Sequence, residues 1–157
     1  MIPAALVLML AIGGAILYAL SNASAQTTQP GAGSTPAPSP QTGGVSSTVQ
    51  AIAQAIATAE GYYVGPGVIP YDRNNPGDIR GSDGQISTYS TPADGWNALY
   101  NQISLILSGQ SHNYTPDMSI SQIAQIYTGA DNASSWASTV ASQLGVSVDT
   151  PISEVSA

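Results

Sequence analysis

The chain has no cysteine, which excludes disulfides, thiolate metal sites and a cysteine nucleophile. It has no lysine either. Its only cations are Arg73 and Arg80, both in one loop region, while the net charge is −7 and charged residues make up 7 % of the sequence. Nothing here could neutralise several phosphates, which argues against a nucleic-acid partner. The same lack argues against electrostatic binding to anionic membrane surfaces. The single histidine, His112, lies in a polar loop without the Ser/Asp context of a catalytic triad. Asp72, Asn74 and Asp78 are spaced a little like a calcium loop, but Pro76 interrupts them and no closing Glu follows, so neither a metal nor a cofactor is expected. A surface poor in charge and rich in Ser, Thr, Asn, Gln and Tyr suits a neutral polymer such as a glycan.

Three segments differ in composition. Ile2 to Leu20 is an uncharged apolar run close to the length that spans a bilayer, followed by Ala23-Ser24-Ala25, the small-residue pattern of a cleavage site. With only the amino terminus as positive charge, residues 1–25 read as a retained membrane anchor that leaves the following domain extracytoplasmic or on a virion membrane. The alternative is a signal segment removed near Ala25. Residues 26–44 are a Pro/Gly/Ser/Thr/Gln linker without hydrophobic pattern. Residues 45–157 are long enough for one modest core.

Within that domain, Ser47 to Gly61 reads as an amphipathic helix, with Ser47 and Gln50 as its capping box and Gly61 as its stop. The stripe Val49, Ile52, Ala53, Ile56 continues at Glu60. A carboxylate there faces the core in the last turn, where burial and the negative helix end both raise its pKa. A carboxylic acid that holds its proton near neutral pH can act as a general acid in glycoside cleavage. The bland alternative is a solvated acid at a helix end. The only other glutamate is Glu154, in the C-terminal tail.

Tyr62 to Ser90 is Gly/Pro-rich, with Asp83-Gly84 as a hairpin turn between Ile79-Arg80 and Gln85–Tyr89. Further helices follow. One is capped by Thr91 with Pro92 and Asp94, and ends at Gly109. One runs from Ile120 to Tyr127 behind a Ser119/Gln122 box, and one from Ala133 to Leu144 is capped by Asn132 or Asp131 and stopped by Gly145. A short turn opens at Thr150-Pro151. No βαβ alternation exists, so the expected fold is α+β and mainly α, with a small β-hairpin lobe. Trp96 and Trp136 read as core.

Ala-Glu-Gly-Tyr at residues 59–62, Arg-Asn-Asn-Pro-Gly-Asp-Ile-Arg at 73–80 and Gly-Trp-Asn-Ala-Leu at 95–99 follow in order. Met-Ser-Ile-Ser-Gln-Ile at 118–123 and the stretch Tyr127 to Trp136 come after them. Together these resemble the lysozyme-like lytic transglycosylase-related domains of phage virion proteins and prophages, over about Ala51 to Val148. The resemblance implies a lysozyme-like fold with Glu60 as the catalytic acid, acting on peptidoglycan glycan strands. It departs at Asp78, where the pattern has Asn, so Asp78 is either a second carboxylate or a neutral swap in a turn. Asp72 is the other nearby acid for a hydrolytic muramidase, which wants a second carboxylate across the cleft. Asn75 and Asn74 are placed either to donate amide hydrogen bonds to N-acetyl groups or to form the turn before Pro76. Tyr89 and Tyr127 are candidates to line a glycan groove. Tyr127 alternatively orients Glu60 through its hydroxyl or completes an apolar stripe. A non-catalytic virion structural or glycan-binding module of the same fold is the alternative outside enzymology.

Overall fold

A computed structural model describes residues 44–157. The expected anchor or signal segment, and all of the linker but Gly44, lie outside the described residues. Among the described residues no helix is long and apolar enough to cross a membrane.

Helix α1, Ser47–Ala59, starts one residue earlier than the capping box implies. Ser46 is the cap and its hydroxyl accepts from Val49 N–H at 3.3 Å. The Gln50 side chain donates to Val45 O, so Ser47 and Gln50 form no box. Either serine has the hydroxyl a cap needs, and the extended backbone of Ser46 decides. Gly61 follows in the left-handed conformation, as a helix stop requires. The segment to Ser90 holds a 3-10 turn at Tyr62–Val64 and a single helical turn, α2, Ile69–Asp72.

The expected hairpin is smaller than its sequence signal. Within this lobe there is one antiparallel bridge, Arg80 to Ile86, around the Asp83-Gly84 turn, with Ser87 N–H reaching Ile79 O at 2.9 Å. Pairing goes no further because the Asn75 amide stands between the strands, accepting from Ile79 N–H and donating to Ser87 O, both at 2.9 Å.

Helix α3, Pro92–Leu107, carries the full Thr91/Asp94 capping box, and helix α4, Ile120–Thr128, the Ser119/Gln122 box, both as read from sequence. Helix α5, Ala130–Leu144, begins three positions ahead of the expected Ala133, behind Gly129 and without a side-chain cap, so neither Asn132 nor Asp131 caps it. Gly129 at φ 80 turns the chain directly from α4 into α5 and leaves no room for a polar cap. A 3-10 turn, Ile152–Glu154, closes the chain.

The architecture is mainly helical with little strand. Helix α1 is central, packing on α5 and α3, while α5 also packs on α4. The core interleaves Ile52 and Ile56 with Leu99, Ile103, Ile123 and Val140, all buried. Each such aliphatic side chain contributes about 1.5–3 kcal/mol through burial. Ala53, Ala57 and Ala124 are fully buried, which lets helix backbones approach closely. The tail straps the start of α4, with Ile120 N–H on Thr150 O and Ile152 N–H on Met118 O. This frame fixes the C-terminal end of α1 against the middle of α5 and against the loop at residues 73–80.

Candidate functional site

Glu60 is the C-cap of α1 and is partly buried. Its Oε1 accepts the indole N–H of Trp136 from α5 at 2.7 Å. Burial pushes its pKa from 4.5 up to about 8. The Trp136 hydrogen bond pulls against that rise, Asp78 adds to it, and Arg80 opposes it. Glu60 therefore holds a proton at neutral pH, as the sequence pattern implies.

The loop facing Glu60 is built from the Asn-Asn-Pro-Gly run. Asn75 is fully buried: its amide N–H groups bind Ile79 O and Ser87 O, and its Oδ1 accepts from Ile79 N–H at 2.9 Å. It forms the turn and has no surface to offer a ligand, which corrects its expected role as a glycan donor. Asn74, at φ 51, donates to Tyr89 O at 3.0 Å, so its amide likewise stitches the lobe together. Arg73 donates to Ile86 O at 2.7 Å and Arg80 to Gly84 O at 2.9 Å. Both guanidinium groups thus brace the loop.

Gly95 lets α3 dock on this loop. A Cβ there would lie 1.7 Å from Asn74 O. Gly77 is similarly tight, with Leu99 Cδ1 2.7 Å from where its Cβ would stand. These close approaches explain the small residues in both motifs without reference to chemistry.

Of the two further carboxylates, the loop brings Asp78 to the site and leaves Asp72 out. Asp78 sits at φ 47, within electrostatic reach of Glu60. Burial raises its pKa against the pull of Arg80 and then Arg73. Its Oδ1 is buried with no hydrogen-bond partner among the described residues. Asp72 is exposed and accepts from Gly67 N–H at 3.1 Å, capping its own loop. It does not act on Glu60, which corrects its candidacy as a second acid.

Tyr127 does not orient Glu60. Its hydroxyl donates to Gly77 O, while its ring packs on Trp136 with centroids 5.1 Å apart. The hydroxyl lies deep in the protein, and burial holds its pKa well above the usual range. Tyr127 is therefore the wall behind the acid. The orienting residue is Trp136, which the sequence reading placed in the core. It is indeed buried, but a buried indole N–H needs an acceptor, and that requirement was the available signal. Tyr89 is half-buried and lines an open groove with Gln102 and His112. Among the described residues no group of three His, Cys, Asp or Glu side chains could hold a metal ion.

The arrangement is a partly hidden proton donor, held by one N–H, facing a loop that carries one further carboxylate. The chain matches no family model, no curated protein and no solved structure.

Proposed function

We propose that this protein is a peptidoglycan lytic transglycosylase of lysozyme-like type, with Glu60 as its single acid and base. The observation that carries the reading is the Glu60 carboxyl, held protonated to about pH 8 by burial and aimed by Trp136. Protonated Glu60 donates its proton to the glycosidic oxygen of a MurNAc–GlcNAc β-1,4 bond. The acetamido carbonyl of the same sugar stabilises the oxocarbenium-like centre. The ionised Glu60 then takes the proton of the C6 hydroxyl, whose oxygen closes the 1,6-anhydro ring, and the acid is regenerated. Water is not consumed. The N-terminal segment would tether the enzyme to a virion or envelope membrane, where it opens the wall locally.

Zymography on purified peptidoglycan, with the full-length protein against Glu60→Gln, tests this. Clearing by wild type alone supports the reading, and equal absence of clearing from both supports a structural module.

Hydrolysis is the second reading, favoured by Asp78 lying within electrostatic reach of Glu60. Asp78 would then activate water across the cleft. Mass spectrometry of the products distinguishes the two, since anhydro ends mark the first and reducing ends the second.

A further inference from the structure

The turn after Glu60 opens into an apolar loop. Gly61 redirects the chain, and from there to Tyr71 no residue carries a charge. Among the described residues the exposed large hydrophobic side chains are Tyr63, Val64, Ile69 and Ile126, so three of the four fall in one seven-residue stretch. Val64 is the most open of them, at 74 %. Single apolar side chains scattered over a surface mean little, but an uncharged cluster marks a contact.

The loop is built to stand out and to keep its shape. Gly65 and Gly67 take φ 95 and 96, a region glycine enters freely, and nothing lies within 4 Å of where a Cβ would stand on either. Beneath the loop the Tyr63 ring leans on Tyr62 at 5.6 Å and on Trp96 at 6.4 Å, both buried. Gly67 N–H is fixed on Asp72 Oδ1 at 3.1 Å. The apolar side chains are thus presented on a preformed frame. A tyrosine with a packed body and a wet tip suits a water–lipid boundary.

The rest of the chain indicates what covers this loop. The uncharged apolar run Ile2 to Leu20 has about the length of a bilayer span, and residues 21–44 join it to the domain. A chain of that length reaches at most about 85 Å. Helix α1, which separates its end from the loop, is only about 20 Å long. A surface held this near is met at an effective concentration on the order of mM, so a small patch suffices. The net charge of −7 and the lack of lysine leave apolar contact, not charge, to attract lipid.

We propose that Tyr63, Val64 and Ile69 form a lip that dips into the bilayer to which residues 2–20 tie the protein. The inference rests on the membrane-tether part of the reading above and not on the chemistry of Glu60. Its consequence for the site is orientation. Glu60 and Val64 are four positions apart, so the acid is held within about 14 Å of the lip, and any bond it cleaves lies next to the membrane.

The chain has no cysteine, so a single introduced one carries a nitroxide label without background. Full-length protein labelled in the loop at Pro66→Cys, or on α4 at Ile126→Cys as the control, is reconstituted at one copy per phosphatidylcholine nanodisc. Power-saturation EPR compares collisions with oxygen, which concentrates in lipid, and with a nickel chelate, which stays in water. Expected is a high oxygen-to-chelate ratio in the loop and a low one on α4. Val64→Ser/Ile69→Ser should weaken the contact at least about tenfold and bring the loop ratio down towards that of α4. Both side chains are exposed, so the core is untouched, as thermal unfolding would verify. Replacing part of the lipid with phosphatidylglycerol should weaken the contact, and salt should restore it. A chelate-accessible loop label in protein that stays with the nanodisc would overturn the lip and leave the tether. A loop label shielded from both agents would mean that protein covers the loop, which overturns the bilayer as its partner. Protein that neither enters nanodiscs nor floats with vesicles would overturn tether and lip together. Peptidoglycan clearing reports on Glu60 independently of these outcomes.

Discussion

Trp136 donates its indole N–H to Glu60 Oε1 at 2.7 Å, bridging residues that lie 76 positions apart in the chain. The bond favours the carboxylate, so it limits a rise that burial drives. Trp136→Phe keeps most of the aromatic volume against Tyr127 but removes the donor. The Glu60 pKa should move further up, and with it the alkaline limb of the pH–rate profile. Tyr127→Phe should leave that limb in place, because its hydroxyl serves Gly77 O. Carbon-detected NMR titration of the Glu60 carboxyl in the two variants checks both outcomes, and a shift in Tyr127→Phe alone would invert the assignment.

Glu60 also makes stability depend on pH. Below about pH 4.5 the folded and unfolded chains both hold the proton. Between that value and about 8 the unfolded chain releases it while the folded chain keeps it, so stability falls as pH rises. Above about 8 both are ionised and the full penalty stands. Glu60→Gln removes this dependence. Its stability advantage over wild type should be small near pH 4 and grow to about 3–5 kcal/mol near pH 9. Urea unfolding midpoints at the two extremes measure it, and parallel pH curves for both proteins would show Glu60 to be solvated.

These two residues also mark where the sequence was legible. Thr91, Pro92 and Asp94 announce α3 because a cap, a first-turn proline and a returning carboxylate are all local. Ser119 and Gln122 do the same for α4. The start of α1 slipped by one because two adjacent serines offer the same hydroxyl, and α5 begins early because a glycine replaced the side-chain cap. Glu60 stood out because an acid interrupts an apolar stripe. Its partner did not, since a tryptophan in a helix stripe reads as core until the tertiary fold gives its N–H an acceptor. Asn75 shows the converse: an Asn before Pro-Gly suits both a turn and a ligand, and only its complete burial decides for the turn.

That burial has a measurable consequence. Asn75→Ala would leave Ile79 N–H and two carbonyl contacts without the side-chain partner they have now. The expected cost is about 2–4 kcal/mol, since buried polar groups lose partners without regaining water. Thermal unfolding should register it at all pH values.

Gly95→Ala should be at least as damaging, for a different reason. The new methyl would stand 1.7 Å from Asn74 O and 3.0 Å from Pro76 Cδ, so the loop must leave α3. Helix propensity alone would favour alanine by about 1 kcal/mol. A net loss of stability in chemical denaturation would show that the close approach outweighs propensity, and a net gain would mean that the loop does not pack there.

Asp78→Asn separates the two mechanisms and tests the electrostatics in one variant. Asparagine tolerates the left-handed backbone at this position about as well as aspartate. Removing the charge takes away an influence that raises the Glu60 pKa, so the alkaline limb should fall to lower pH. Asp78 is itself held up by burial, with an oxygen that finds no partner, so the neutral amide should cost little stability near neutral pH. If Glu60 works alone, Asp78→Asn keeps most of its turnover at about pH 6 and still yields anhydro ends. If Asp78 activates water, turnover falls by about 10²-fold or more, as expected on loss of a general base. Product mass spectra and rates at about pH 6, where Glu60 is protonated in either case, decide between these outcomes.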